Sequence, residues 1–344
     1  MKKFIAAISA ITLTAACFAS CSSDSKDSKS ESTTEAATAA ETTTEEVTEE
    51  VTTEAEEEEM DDEENYDTGD ASLDNVRNQD DIGDNELLVV SFGTSFNDSR
   101  RLTIGAIEDA LEKAFPDYSV RRGFTANIII DHVNRRDGIL IDDLDAALQR
   151  AVDNEVKNLV VQPTHLMNGL EYDELSAKVA EYSDAFDKVV IGEPLLTTDE
   201  DFSRVEKAIT DWTKEYDDGE TAICFMGHGT EAESNGVYAK MQELLTADGY
   251  ANYFVGTVEA TPSLDDVLAK VKEGDYKKVI LEPLMVVAGD HANNDMAGAE
   301  EDSWKSVFEA EGYEVECVLR GLGENEDIRS IYVDHAQAAI DSIK

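Results

Sequence analysis

Three segments of this sequence place metal-type ligands in similar surroundings: Met226-Gly-His-Gly-Thr230, Thr257-Val-Glu-Ala-Thr-Pro262 and Gly289-Asp-His291. Each follows a short apolar run that reads as a strand, so His228, Glu259 and His291 are expected just beyond the carboxyl ends of three strands. That is where open α/β sheets bind ligands. Two imidazoles and one carboxylate with open positions suit a divalent first-row metal such as cobalt, iron, nickel or zinc, without sharp selection among them. A purely structural account competes at each position: a glycine-flanked histidine can be a tight turn, and Glu259 can cap a helix starting near Pro262. Three such placements in series favour a site. His165, near the end of an earlier strand, and Glu171, just past Gly169, add a second imidazole–carboxylate pair. His132 and His335 fall inside helical patterns and are read as having no role.

Other site chemistries lack their motifs. No Gly-x-Ser-x-Gly elbow, no Gly-x-x-x-x-Gly-Lys-Ser/Thr loop and no Gly-x-Gly-x-x-Gly after the first strand is present. The turn Phe92-Gly-Thr-Ser95 precedes a helix near Asp98. It could hold a carboxylate at that helix N-terminus, or Ser95 or Asp98 could simply cap the helix.

The elements that must position these residues lie between Leu87 and the C-terminus. Apolar runs of strand length occur at 87–92, 119–124, 158–163 and 188–194, then again at 221–226, 253–258, 278–283 and 314–319. Amphipathic helical patterns separate them, at 100–114, 142–153, 172–186 and 202–216, then at 236–246, 263–272, 295–310 and 325–343. Strands with few polar positions, each followed by a helix, imply parallel sheets covered on both faces. The two sets align with each other. Gly93-Thr94 falls on Gly229-Thr230, and Val161–Gly169 falls on Leu281–Gly289. The expected fold is therefore α/β: two similar, doubly wound, four-stranded parallel units, 85–217 and 218–344, facing each other across a cleft. On this alignment Leu170-Glu171 falls on Asp290-His291, so a carboxylate of one half faces the histidine of the other.

The net charge of −49 is unevenly spread. Roughly half of it lies between Asp24 and Glu86, where Lys26, Lys29 and Arg77 are the only basic residues. Such a surplus excludes nucleic acid and anionic membrane surfaces as partners by repulsion. Residues 1–21 read as an export signal, with Lys2 and Lys3 followed by an apolar run too short to span a bilayer. Thr-Ala-Ala-Cys17 and Phe-Ala-Ser-Cys21 each have small residues before a cysteine, as in a bacterial lipobox. Cys21 is the favoured lipidation site and Cys17 the alternative, giving an exported protein anchored to the outer face of a membrane. Acyl chains contribute about 0.8 kcal/mol per buried CH₂. Residues 22–84 are low-complexity and acidic, and are expected to form a disordered tether. Cys224 and Cys317 sit in apolar runs and are expected to be buried free thiols.

Several segments together resemble the anaerobic sirohydrochlorin cobaltochelatases of the CbiK type. They are Val90-Ser-Phe-Gly-Thr-Ser95, Met226-Gly-His-Gly229, Glu282-Pro-Leu-Met285, Val287-Ala-Gly-Asp-His-Ala292, Asn294-Asp-Met-Ala297, Asp302-Ser-Trp-Lys305 and Gly321-Leu-Gly-Glu-Asn325. The similarity runs from about Leu87 to the C-terminus. It implies a class II chelatase fold and insertion of Co²⁺, as substrate metal, into a tetrapyrrole for cobalamin biosynthesis. Fe²⁺ and Ni²⁺ stay open, and no organic cofactor is expected. The family's metal ligands correspond to His228, Glu259 and His291. Its second glutamate, in an Asn-Gly-x-Glu-Tyr segment, corresponds to Glu171 in Asn168-Gly-Leu-Glu-Tyr172, with His165 as a neighbouring helper. His228 and Glu171 would then also take part in catalysis, because two pyrrole protons must leave as the metal enters. Arg100, Arg101 and Arg135 are candidate partners for substrate carboxylates. Export sits oddly with a cytoplasmic precursor, so an alternative is a surface-anchored haem-, tetrapyrrole- or metal-binding lipoprotein on the same scaffold without turnover. Association into a homo-oligomer is left open.

Overall fold

The structure, a computed structural model, describes residues 68–344. The expected export signal, the two candidate lipidation cysteines and the expected tether up to residue 67 lie outside the described residues. Among the described residues, no helix is long and apolar enough to cross a membrane.

Among the described residues, eight strands form two parallel sheets. The first contains β1 (Asn85–Ser91), β2 (Ser119–Phe124), β3 (Asn158–Pro163) and β4 (Lys188–Ile191), in the order β2-β1-β3-β4. The second contains β5 (Thr221–Gly227), β6 (Tyr253–Thr257), β7 (Lys278–Pro283) and β8 (Glu314–Cys317), in the order β6-β5-β7-β8. The identical order is the expected duplication. All eight strands fall where the apolar runs predict them, because both faces of each central strand are buried. Leu87 and Val89 of β1 face one core, while Leu88 and Val90 face another, following the two-residue period of a strand. In β5, Ile223 and Phe225 join the first of these cores, and Ala222, Cys224 and Met226 point to the opposite side. One apolar core therefore runs between the two sheets. Cys224 is buried and Cys317 half-buried, both as free thiols.

The helices fill the gaps: α1 (97–114, π-helical at Arg101–Gly105), α2 (Asn127–Asp137), α3 (Leu144–Asp153), α4 (Leu170–Glu181), α5 (Asp199–Thr213), α6 (Gly236–Ala247), α7 (Leu264–Val271), α8 (Trp304–Ala310) and α9 (Glu326–Ser342). Thr198 with Asp201 and Ser263 with Asp266 form capping boxes at α5 and α7. Ser263, not Glu259, thus starts the helix after β6, which leaves Glu259 available. The helix expected over 295–310 is interrupted. A π-helical turn at Ala292–Met296 ends before Gly298, and α8 restarts after Ser303, whose hydroxyl donates to Gly298 O at 2.9 Å and accepts from Ser306 N at 3.1 Å.

The last helix crosses the expected boundary near residue 217. Ile328, Ile331 and Tyr332 of α9 pack with Leu87 and Val89 of the first sheet, and the Tyr332 hydroxyl donates to Thr164 O at 2.8 Å. Burying side chains of this size contributes about 1.5–3 kcal/mol each, so α9 clamps the halves together.

The tether expectation fails over its final stretch. Residues 68–84 lie against the first half, with Asp74 and Arg77 buried. Asp74 accepts from Arg100 Nε at 2.7 Å and from both terminal nitrogens of Arg122, at 2.7 and 3.0 Å. Arg77 reaches Glu108 at 3.3 Å and Glu112 at 3.2 Å. An acidic segment looks like a solvated spacer by composition, yet one aspartate and one arginine suffice to anchor it when the body supplies buried counter-charges. Arg100 is consumed by this anchor. It is fully buried and therefore cannot meet a substrate carboxylate. Arg101 pairs with Asp98 at 3.0 Å, and Arg135 is exposed on α2.

Candidate metal and tetrapyrrole site

The residues after β5 and β6 continue the parallel ladder. Val258 N donates to Gly227 O at 3.0 Å and Glu259 N to His228 O at 2.9 Å, so the backbone sets the two side chains next to each other. Gly229 makes this approach possible. Its φ of 92° is left-handed, and a Cβ there would lie 2.9 Å from Ala260 N. His291 arrives from the loop after β7, at the start of the π-helical turn.

The potential ligand atoms of His228, Glu259 and His291 all lie within 4.8 Å of one another. His228 Nε2 is 3.8 Å from Glu259 Oε1, and the two imidazoles meet edge-on with centroids 4.6 Å apart. Ligands about 2.1 Å from a shared ion are at most about 4.2 Å apart, so only a slight contraction is needed. All three side chains are partly exposed, which makes an open site and not a sealed structural one. Each imidazole is oriented through its other nitrogen. His228 Nδ1 lies 2.8 Å from Gly229 O, and His291 Nδ1 lies 2.7 Å from Asp295 Oδ2. Donation from Nδ1 in both leaves the Nε2 lone pairs for a metal.

The Asp295 hydrogen bond also holds His291 above the usual histidine range, against the opposing effect of burial and with support from the charges of Asp295, Asp290 and Glu259. Asp295 was not singled out by sequence, although an acid four residues after a histidine in a helical turn was the available signal. Removing an outer partner of a metal ligand typically costs about 10- to 100-fold in metal affinity. Asp295→Ala is therefore expected to weaken Co²⁺ binding by about that factor, measured by titration of the purified protein, while Asp295→Asn keeps part of it.

The first half supplies the facing pair. His165 is buried, and neither ring nitrogen makes a hydrogen bond; Nε2 lies 3.4 Å from Glu171 Oε2. Burial drives the imidazole down to about 4, so it is neutral at pH 7. Partial burial raises the Glu171 carboxyl, opposed by the attraction of His228. The halves touch at loop tips. Gly169 packs near Ser234, Gly289 packs on Thr94, and Ala288 N donates to Ser99 Oγ at 3.0 Å. His132 is buried in α2, and His335 bonds Asp201 and Glu193 O at 3.1 Å each, away from this set.

A duplicated parallel α/β scaffold thus gathers two imidazoles and a carboxylate at one set of strand ends. The fold is similar to that of the sirohydrochlorin chelatase SirB from Bacillus subtilis subspecies spizizenii in complex with cobalt, with a TM-score of 0.53, 11% identity, and coverage of 75% of this chain and 96% of that one. Residues 85–341 match the cobalt chelatase (CbiK) family. The sirohydrochlorin cobaltochelatase of Salmonella typhimurium is 37% identical over 254 residues, 74% of this chain and 96% of that protein. Sirohydrochlorin cobaltochelatase CbiKC of Nitratidesulfovibrio vulgaris is 31% identical over 264 residues, 75% of this chain and 91% of that protein. The chain belongs to the cobalt chelatase (CbiK) family.

Proposed function

We propose that this protein is a sirohydrochlorin cobaltochelatase, which inserts Co²⁺ into the macrocycle and releases two protons. The observation that carries the reading is the convergence of His228, Glu259 and His291 at the strand ends of the second half, with the Glu171–His165 pair at a strand end of the first. Co²⁺ as substrate is held by the two Nε2 atoms and the Glu259 carboxylate. As bonds to the four macrocycle nitrogens form, the bonds to these ligands break. An incomplete shell permits that release, whereas a closed four-ligand site would retain the ion. The two pyrrole N–H protons must leave during the same exchange. In this reading Glu171, beside neutral His165, accepts one, and the other leaves to solvent through the open side of the site. Fe²⁺ and Ni²⁺ suit the same donors, so parallel assays with each of them rank the metals.

Purified protein mixed with sirohydrochlorin and Co²⁺ is expected to produce the cobalt complex catalytically, read as an absorbance change. Glu171→Gln is expected to lower kcat on the order of a hundredfold, the usual size of a general-base contribution, while leaving Co²⁺ affinity nearly unchanged. Stoichiometric binding of tetrapyrrole without turnover would overturn the enzymatic reading in favour of a binding protein. We further propose that the chelatase is exported and held to a membrane by lipidation at Cys21; the reading is supported by the Lys2-Lys3 and apolar leader and by the small residues before that cysteine. Loss of membrane association in Cys21→Ala cells tests it.

A further inference from the structure

The two halves repeat one backbone register at their strand ends. In the second half Val258 N donates to Gly227 O and Glu259 N to His228 O; in the first, Thr125 N donates to Ser91 O at 2.9 Å and Ala126 N to Phe92 O at 3.2 Å. The third strands agree, with Thr164 N donating to Val90 O at 2.8 Å and Leu284 N to Met226 O at 2.7 Å. Gly93 and Gly229, one residue further on, both have left-handed φ, 110° and 92°. Phe92 is therefore the counterpart of His228, and Ala126 the counterpart of Glu259. The sequence repeat makes Glu171 the counterpart of His291. Where one wall of the cleft carries imidazole, carboxylate and imidazole, the other carries a benzyl ring, a methyl group and a single carboxylate.

At these three positions that wall offers one carboxylate where the other offers three ligands, but it has another property. Phe92 is 49% exposed, and Ile128 and Leu170, in the segments after β2 and β3 at the same end of the sheet, are 41% and 64% exposed. Three large apolar side chains left open at the strand ends of one half, beside a metal-ligand set, mark a ligand surface. A flat conjugated macrocycle supplies the matching face, because aromatic rings gain from offset stacking as well as from burial.

Resting on the chelatase reading above, we infer that Phe92 seats one face of the tetrapyrrole, on the wall opposite His228, Glu259 and His291. The duplication has diverged into a metal-presenting wall and a macrocycle-seating wall, so the metal enters from the face turned away from Phe92. Phe92 touches substrate without exchanging metal or protons. Its loss changes substrate affinity and leaves metal loading alone.

The test uses the full chain and two separate titrations: sirohydrochlorin without metal, followed by absorbance, and Co²⁺ without tetrapyrrole. Phe92→Ala is expected to raise the sirohydrochlorin Kd, and KM in turnover, on the order of tenfold, with Co²⁺ affinity unchanged and kcat altered much less than KM. Phe92→Trp is expected to restore binding. The exposed position makes misfolding a minor concern, and circular dichroism of each variant checks it. Unchanged sirohydrochlorin binding in a folded Phe92→Ala, or a parallel loss of Co²⁺ affinity, overturns the inference alone. Wild-type protein that binds Co²⁺ but no sirohydrochlorin overturns the proposed function and this inference with it.

Discussion

His291→Ala abolishes measurable cobalt insertion, with a fall in rate of at least about a hundredfold and a matching loss of Co²⁺ affinity. The lower bound follows from the cost of losing merely an outer partner of a metal ligand, itself about 10- to 100-fold. On the proposed ligand set His291 contributes more, because its Nε2 would be one of two nitrogen donors in an open shell, and its Nδ1 lies 2.7 Å from Asp295. His228→Ala has the same consequence for the same reason. The pH dependence follows in sign. His291 titrates above the usual histidine value of about 6.5, and a metal needs the neutral ring, so Co²⁺ loading is full well above that value and weakens as pH falls through it. Parallel Co²⁺ titrations and turnover measurements on the two alanine variants check this. Full turnover in both single variants would remove the assigned ligands from the mechanism.

Asp74→Ala is expected to lower the melting temperature by about 5 °C. Asp74 is buried between Arg100 and Arg122, both fully buried, and removing one partner of a buried ion pair costs about 3–5 kcal/mol. Because Arg122 keeps Glu108 at 2.7 Å, the lower end of that range is expected, and a fold of this size shifts a little under about 2 °C per kcal/mol. Burial alone would raise the Asp74 carboxyl, but the hydrogen bonds and charges of Arg122 and Arg100 outweigh it and hold it below the ordinary carboxylate range. Its contribution is therefore complete above about pH 4 and is lost as pH falls through the lowered folded value. The variant also disturbs the cleft. Arg100 Nη1 donates to Thr94 O at 3.1 Å and Ser95 O at 3.4 Å, and Thr94 packs on Gly289, two residues before His291. A moderate loss of turnover per folded molecule should accompany the lost stability. A melting temperature within about 2 °C of wild type would show the 68–84 strap to be energetically idle.

The sequence by itself determined the strands, their duplication and the histidines. Runs such as Leu87–Val90 and Ala222–Met226 read as strands because helices cover both faces of each central strand, so no polar alternation interrupts them. His228, Glu259 and His291 were legible because a strand end followed by a glycine or polar turn is a local pattern, and the repeat says which strand ends share a cleft. Only the tertiary structure decided what depended on distant partners. An aspartate within an acidic tract has the same local appearance whether solvated or paired, and Asp74 meets its arginines 26 and 48 residues away. Arg100 looked available for substrate until that partner closed over it. The contact of the loop after β3 with the loop after β5, Gly169 against Ser234, likewise joins residues that no local pattern relates. The equivalence of Phe92 with His228 rests on backbone hydrogen bonds between strand ends more than thirty residues apart. Local propensity acts over a few residues and marks elements and motifs, whereas pairing energies between remote groups decide which of them complete a site.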